Sequence, residues 1–193
     1  MPGTPRHLIP ARSRLPHAEQ AALFRANIEK EFGSLARVPD LDAVPEAVAS
    51  YLAAQNLPTD IVMAPHPELL AIPWDTRPLL RLHTGRAEAT DMVSLQHAFA
   101  GIAETGTLML PSATERPTTL NLLADTAIVL LRASRLVGAY EEAWDLLRAE
   151  IGSMPRNVML VTGPSRSADI EQTLELGAHG PRRLHVVVVE DVR

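Results

Sequence analysis

Beyond Pro58 the chain breaks into seven apolar runs of strand length, at residues 61–64, 79–83, 92–95, 107–110, 127–132, 157–162 and 184–190. Two of them, Ala127-Ile128-Val129-Leu130-Leu131 and Val186-Val187-Val188-Val189, are apolar on both faces. A strand with no polar side must be covered on both faces, which favours parallel pairing between layers of helices. The stretches at 141–150 and 167–176 carry apolar residues at helical spacing, with Ala143, Leu146 and Leu147 inward in the first and Ile170 and Leu174 in the second. The expectation is a three-layer α/β/α domain with a mostly parallel sheet.

Two amphipathic helices are expected upstream. Residues 17–32 place Ala21, Leu23, Phe24, Ile28 and Phe32 mostly on one face, with Gly33 as a stop. Residues 41–55, opened by Asp40 or Asp42, bury Val44, Val48, Tyr51 and Leu52. Residues 1–16 hold four prolines and no period, and read as an irregular arm. The Pro-rich stretch 65–78 brings no change in composition, so residues 17–193 are expected to form one domain.

Composition narrows the chemistry. Without cysteine the chain has no disulfide, catalytic thiol or thiolate-held iron–sulfur cluster. A net charge of −5 argues against general nucleic-acid binding, which needs surplus cations. Lys30 is the only lysine and lies on a solvated helix, which disfavours Schiff-base chemistry. No apolar run approaches the roughly 20 residues of a membrane helix, and no secretory stretch opens the chain, so a cytoplasmic protein is expected. His66, His83, His97 and His185 show no ligand spacing such as HExxH, and no structural metal is expected.

Three segments carry possible chemistry. In Ile102-Ala103-Glu104-Thr105-Gly106-Thr107, a glutamate in a glycine turn can act as nucleophile or base, or merely cap a helix. In Thr162-Gly163-Pro164-Ser165, followed by Ser167 and Asp169, a strand enters a turn and a helix start. Amide donors there can hold an anion, or the letters can mark a plain capping turn. Gly177-Ala178-His179-Gly180-Pro181 holds a histidine in a tight loop, as a proton carrier or an ordinary exposed side chain. Neither the P-loop lysine nor a dinucleotide glycine pattern is present.

Together these segments resemble the LUD-domain family, the group that includes lactate-utilisation protein C. The resemblance rests on Ile102 to Thr107, on Gly163-Pro164-Ser165 with Ser167-Ala168-Asp169-Ile170-Glu171, and on Gly177 with His179-Gly180-Pro181 and the following apolar strand. It is firm from about Asp91 onward. It implies a Rossmann-like fold similar to the sugar-phosphate isomerase and CoA-transferase group, with an N-terminal helical segment. It also implies an accessory or substrate-handling role in bacterial oxidation of L-lactate to pyruvate, beside CCG-rich and iron–sulfur proteins that hold the clusters. The chain itself is expected to bind no cofactor.

The implied site has Glu104 and His179 as catalytic groups. Thr105, Gly106, Thr107, Gly163, Pro164, Ser165, Asp169 and Gly180 surround a small anion such as lactate or pyruvate, and whether Arg116 closes on it from its loop stays open. Two alternatives stay open: a free-standing isomerase or acyl-transfer enzyme, and a regulatory small-anion binding module.

Overall fold

The computed structural model describes residues 9–10, 13–168, 174–176 and 180–190. Six strands form one sheet in which every pairing is parallel: β1 (Ser34–Val38), β2 (Asp60–Met63), β3 (Arg81–Thr84), β4 (Val93–His97), β7 (Thr126–Arg132) and β12 (Arg183–Val189). Their spatial order is β1-β12-β7-β4-β2-β3. The central strands are those that lack a polar face in sequence. Ile128 and Leu130 of β7 point to one side, Val129 and Leu131 to the other, and Val187 and Val186 of β12 divide the same way.

Each side is covered. Helix α2 (Val44–Ala54) lays Val44, Val48 and Leu52 on the first face, and the short α3 (Pro67–Leu70) adds Leu69. Helix α1 (His17–Lys30) lays Phe24 and Ile28 on the second. Burying each such side chain is worth about 1.5–3 kcal/mol, so the face-to-face apolar pattern dictates the layering. As the spacing predicts, α1 stops at a reversal where Phe32 takes φ 64° before Gly33. Asp40 accepts from the Ala43 N–H just before α2.

A second sheet lies on the α1 side, with order β8-β5-β6-β9: β5 (Ala100–Ile102), β6 (Thr107–Pro111), β8 (Leu136–Val137) and β9 (Val158–Thr162). Helix α4 (Tyr140–Glu150) seals its outer face with Ala143 and Leu147 against Ile102 and Met109. The runs at 107–110 and 157–162, expected in the parallel sheet, thus pair antiparallel with each other in this smaller one. The helix expected at 167–176 is also corrected. Its described residues form an antiparallel pair, β10 (Arg166–Ala168) and β11 (Leu174–Leu176). Leu174-Glu175-Leu176 alternates with period two, which suits a strand as well as the helical spacing suited a helix.

The order of connections marks one position. From β1 through α2 to β2, and from β2 through α3 to β3, the chain moves toward one edge over the first face. From β4 through the second sheet to β7, and on to β12, it moves the opposite way over the second face. The adjacent strands β2 and β4 therefore send their following segments to opposite sides. A crevice opens outside the carboxyl ends of strands at such a switch point.

Candidate functional site

A cluster of charged and imidazole side chains occupies the carboxyl ends of β2, β4 and β7. His66 follows β2 and caps α3, its Nδ1 accepting from the Glu68 N–H at 3.3 Å. His97 ends β4 and is 7% exposed. Its ring stacks on that of His66, with centroids 4.1 Å apart and planes inclined by 5°. From the end of β7, Arg132 places Nε and Nη2 on Glu68 Oε1 at 2.6 and 2.5 Å.

The other Glu68 oxygen, Oε2, forms an ion pair with His97 Nε2 at 2.5 Å. Burial would raise the Glu68 pKa, yet the imidazole of His97 and the guanidinium of Arg132 outweigh it and hold the carboxyl at about 2. Burial, with the charges of His97 and Arg116, pushes His66 down to about 4.

Arg116 reaches the cluster from the loop after β6. Its Nη2 stands 3.0 Å from His66 Nε2 and its Nη1 3.1 Å from Glu115, while its Nε is buried with no hydrogen-bond partner among the described residues. Guanidinium is donor only, and so is the Glu68 amide on the other side of the ring. Both His66 nitrogens therefore face donors, although a neutral imidazole can accept at only one. Beside this cluster runs a crevice of about 710 Å³, lined among others by Pro65, Gly85, Arg86, Thr114, Thr118 and Arg156. It follows the ends of β2 and β3 and holds cations in surplus.

The segments singled out in sequence lie elsewhere. Glu104 Oε2 accepts from the Ser13 hydroxyl at 2.7 Å, and Oε1 accepts from the Tyr140 N–H at 3.3 Å, at the first residue of α4. Thr107 is buried in a hydroxyl chain, 2.7 Å from Thr105, 2.8 Å from Tyr140 and 2.6 Å from Thr162. Gly106 (φ 68°) and Gly163 (φ 76°) lean on α1 and the residues just after it. A Cβ on the first would lie 2.8 Å from the Asn27 Cβ, and on the second 2.6 Å from the Glu31 carbonyl oxygen. Both glycines permit close approach of two chain segments.

Pro164 is buried, the Ser165 N–H donates to the Pro181 carbonyl at 2.8 Å, and Gly180 packs beside Ser165. The Gly163 bend and the segment at Pro181 line a void of about 20 Å³, which the bend at Gly106 does not reach. That is room for roughly one water and no more. Asp169 and His179 lie outside the described residues.

The family model of the LUD domain matches residues 74–189. The chain belongs to the LUD-domain family. Of the cluster, His97, Arg116 and Arg132 fall inside the LUD match, while His66 and Glu68 precede it. An uncharacterised protein of Neisseria meningitidis serogroup B is 42% identical over 92 residues, 48% of this chain and 40% of that protein. Lactate utilization protein C of Bacillus subtilis is 36% identical over 93 residues, 47% of this chain and 39% of that protein. These matches span about two-fifths of the relatives' length. The crystal structure of a DUF162-family protein from Deinococcus radiodurans superposes with a TM-score of 0.67 at 24% identity, covering 91% of this chain and 99% of that one. The LUD fold is therefore shared across most of the chain.

Sequence reasoning passed over His66, Glu68 and His97 because no linear spacing joins them. The usable signal was positional: Ala64-Pro65-His66-Pro67-Glu68 and Gln96-His97 each follow an apolar run, where strand ends gather in an α/β fold. No helix among the described residues is long and apolar enough to cross a membrane.

Proposed function

We propose that this LUD-domain protein binds a small 2-hydroxy or 2-keto acid, L-lactate or pyruvate, where the crevice at the carboxyl ends of β2 and β3 meets the His66–Arg116 pair, as the substrate-handling component of a cytoplasmic lactate-oxidation system. One observation carries the reading. His66 Nε2 and Arg116 Nη2 face each other at 3.0 Å, with Arg116 Nε buried and without a hydrogen-bond partner among the described residues, an arrangement short of an acceptor. With Nδ1 accepting from the Glu68 amide, Nε2 bears the ring proton, and a carboxylate set between the two groups accepts from both. Arg86 and Arg156 extend the positive lining away from the cluster.

Oxidation of lactate to pyruvate releases two electrons and two protons. A chain without cysteine has no thiolate to hold an iron–sulfur cluster, so the electrons pass to partner proteins, one carrying iron–sulfur clusters and one rich in CCG motifs. Family resemblance supports a role in lactate utilisation, since lactate utilization protein C is among the relatives. An acyl-transfer reading is disfavoured because the Glu104 carboxylate is engaged by Ser13 and the Tyr140 amide.

Calorimetric titration with L-lactate, pyruvate, CoA and inorganic phosphate tests the reading. Saturable binding of the two carboxylates is expected, weakened about 10- to 100-fold in R116A, as loss of a charged hydrogen bond implies. Binding of CoA or phosphate alone, or unchanged carboxylate affinity in R116A, would overturn it.

A further inference from the structure

We infer that His97, Glu68 and His66 form a binding site for a borderline-soft divalent cation of the zinc type. One ligand atom from each of the three lies within 4.8 Å of the others. The second observation is the state of His97, which is 7% exposed with both ring nitrogens buried and without a hydrogen-bond partner among the described residues. Its Nε2 is aimed at the Glu68 Oε2 2.5 Å away, an ion-pair contact in which neither atom makes a hydrogen bond of ordinary geometry among the described residues. Buried polar atoms are ordinarily satisfied, and each orphan costs about 1–3 kcal/mol. Two of them converging on one point call for a positive centre between them, which a proton or a metal cation supplies.

The surroundings suit a metal. Arg132 forks onto the far oxygen of Glu68 and fixes the carboxylate in place, the kind of outer partner that orients a ligand. Zinc bonds of about 2.0–2.2 Å put tetrahedral ligand atoms about 3.3 Å apart, so His97 and Glu68 separate slightly while His66 draws in. His66 does so by giving up its contact with Arg116, whose guanidinium then turns to an anion. Two imidazoles with one carboxylate favour zinc or cobalt over magnesium or calcium, which take oxygen donors. Three protein ligands leave a coordination position open.

Charge adds a consequence. Glu68 is already balanced by Arg132, so a dication enters surroundings rich in arginine, and an anion alongside stabilises it. With zinc on His66 Nε2 that nitrogen no longer donates, so a carboxylate is then held by Arg116 and the open metal position, and on that arrangement the two are expected to strengthen each other's binding. That coupling rests on the function proposed above, whereas the cation site itself does not.

The test uses the full chain, stripped with a chelator and titrated with Zn²⁺ by calorimetry, and with Co²⁺ by visible absorption. Expected are a single equivalent bound, cobalt bands of a low-coordinate site, and a higher melting temperature with zinc. E68Q and H97A are expected to bind on the order of 100-fold more weakly or worse, while H83A, at an exposed histidine beside Asp91, keeps full affinity. Thermal melts check that each variant folds, and H66A, at the less buried imidazole, replaces H97A if that one does not. No saturable zinc binding by the native chain, or undiminished binding in the folded ligand variants, overturns the site. Zinc binding without lactate or pyruvate binding leaves the cation site standing and removes the crevice reading. The reverse result removes only the cation.

Discussion

His185 offers a quantitative test of the packing between β12, β1 and α2. Its ring stacks on Tyr51 with centroids 3.9 Å apart, and its Nδ1 lies 2.8 Å from the Ser34 hydroxyl. Nε2 is buried and finds no hydrogen-bond partner among the described residues. Burial alone pushes the imidazole from its ordinary value of 6.5 down to about 4, so the ring is neutral in the folded protein at pH 7. In the unfolded chain it takes up a proton near pH 6.5. Between those values the unfolded state binds more protons, so stability is fully present above pH 6.5 and is lost as pH falls toward 4.

Each tenfold difference in proton affinity between the folded and unfolded ring corresponds to about 1.4 kcal/mol, which gives a loss of about 3 kcal/mol by pH 4. H185N keeps a polar atom near Ser34 and removes the titration. Urea denaturation from pH 7.5 to pH 4 should show the variant about 1–2 kcal/mol less stable at neutral pH, from the lost stack, with the gap closing or reversing in acid. Taking the difference between the two proteins cancels other groups that titrate alike, His66 among them. A difference that stays constant across the range would refute the assignment of a buried neutral ring.

Two further substitutions separate scaffold from site. G106A combines a left-handed backbone with a Cβ only 2.8 Å from Asn27 Cβ and the Ile28 amide nitrogen, so a loss of about 1–3 kcal/mol is expected in denaturant titrations. E104A removes the carboxylate at the start of α4 and its bond to Ser13. It should destabilise by about 1–2 kcal/mol while leaving carboxylate affinity in calorimetry unchanged. Weakened lactate binding in folded E104A would return the site to the Glu104 turn.

What the sequence made legible was whatever a local pattern encodes. The doubly apolar strands β7 and β12 announced a covered parallel sheet, and Phe24 and Ile28 announced the buried stripe of α1. The short β1 went unread because Ser34-Leu35-Ala36-Arg37-Val38 has too little apolar character to mark a strand without its neighbour β12. Pairing partners were equally hidden, since β6 and β9 look like any other apolar run until one lies against the other.

The LUD motifs were read correctly as a group, and their segments do come together around Thr107, Thr162 and Gly163. Their described residues serve packing, because the glycines admit α1 and the residues after it, and the glutamate caps a helix. The strand-end part of the cluster, His66 with Glu68, His97 and Arg132, comes from three stretches of sequence that only parallel register unites. His97 stands opposite Leu130 in β7, two residues before Arg132.

Co-crystallisation with pyruvate is the most direct measurement of where this LUD protein takes its ligand. Pyruvate density with its carboxylate within hydrogen-bond distance of Arg116 and His66, outside the ends of β2 and β4, is the expected result. Density lodged instead beside Thr107 and Gly163, with the crevice beside Arg116 left to solvent, would contradict it.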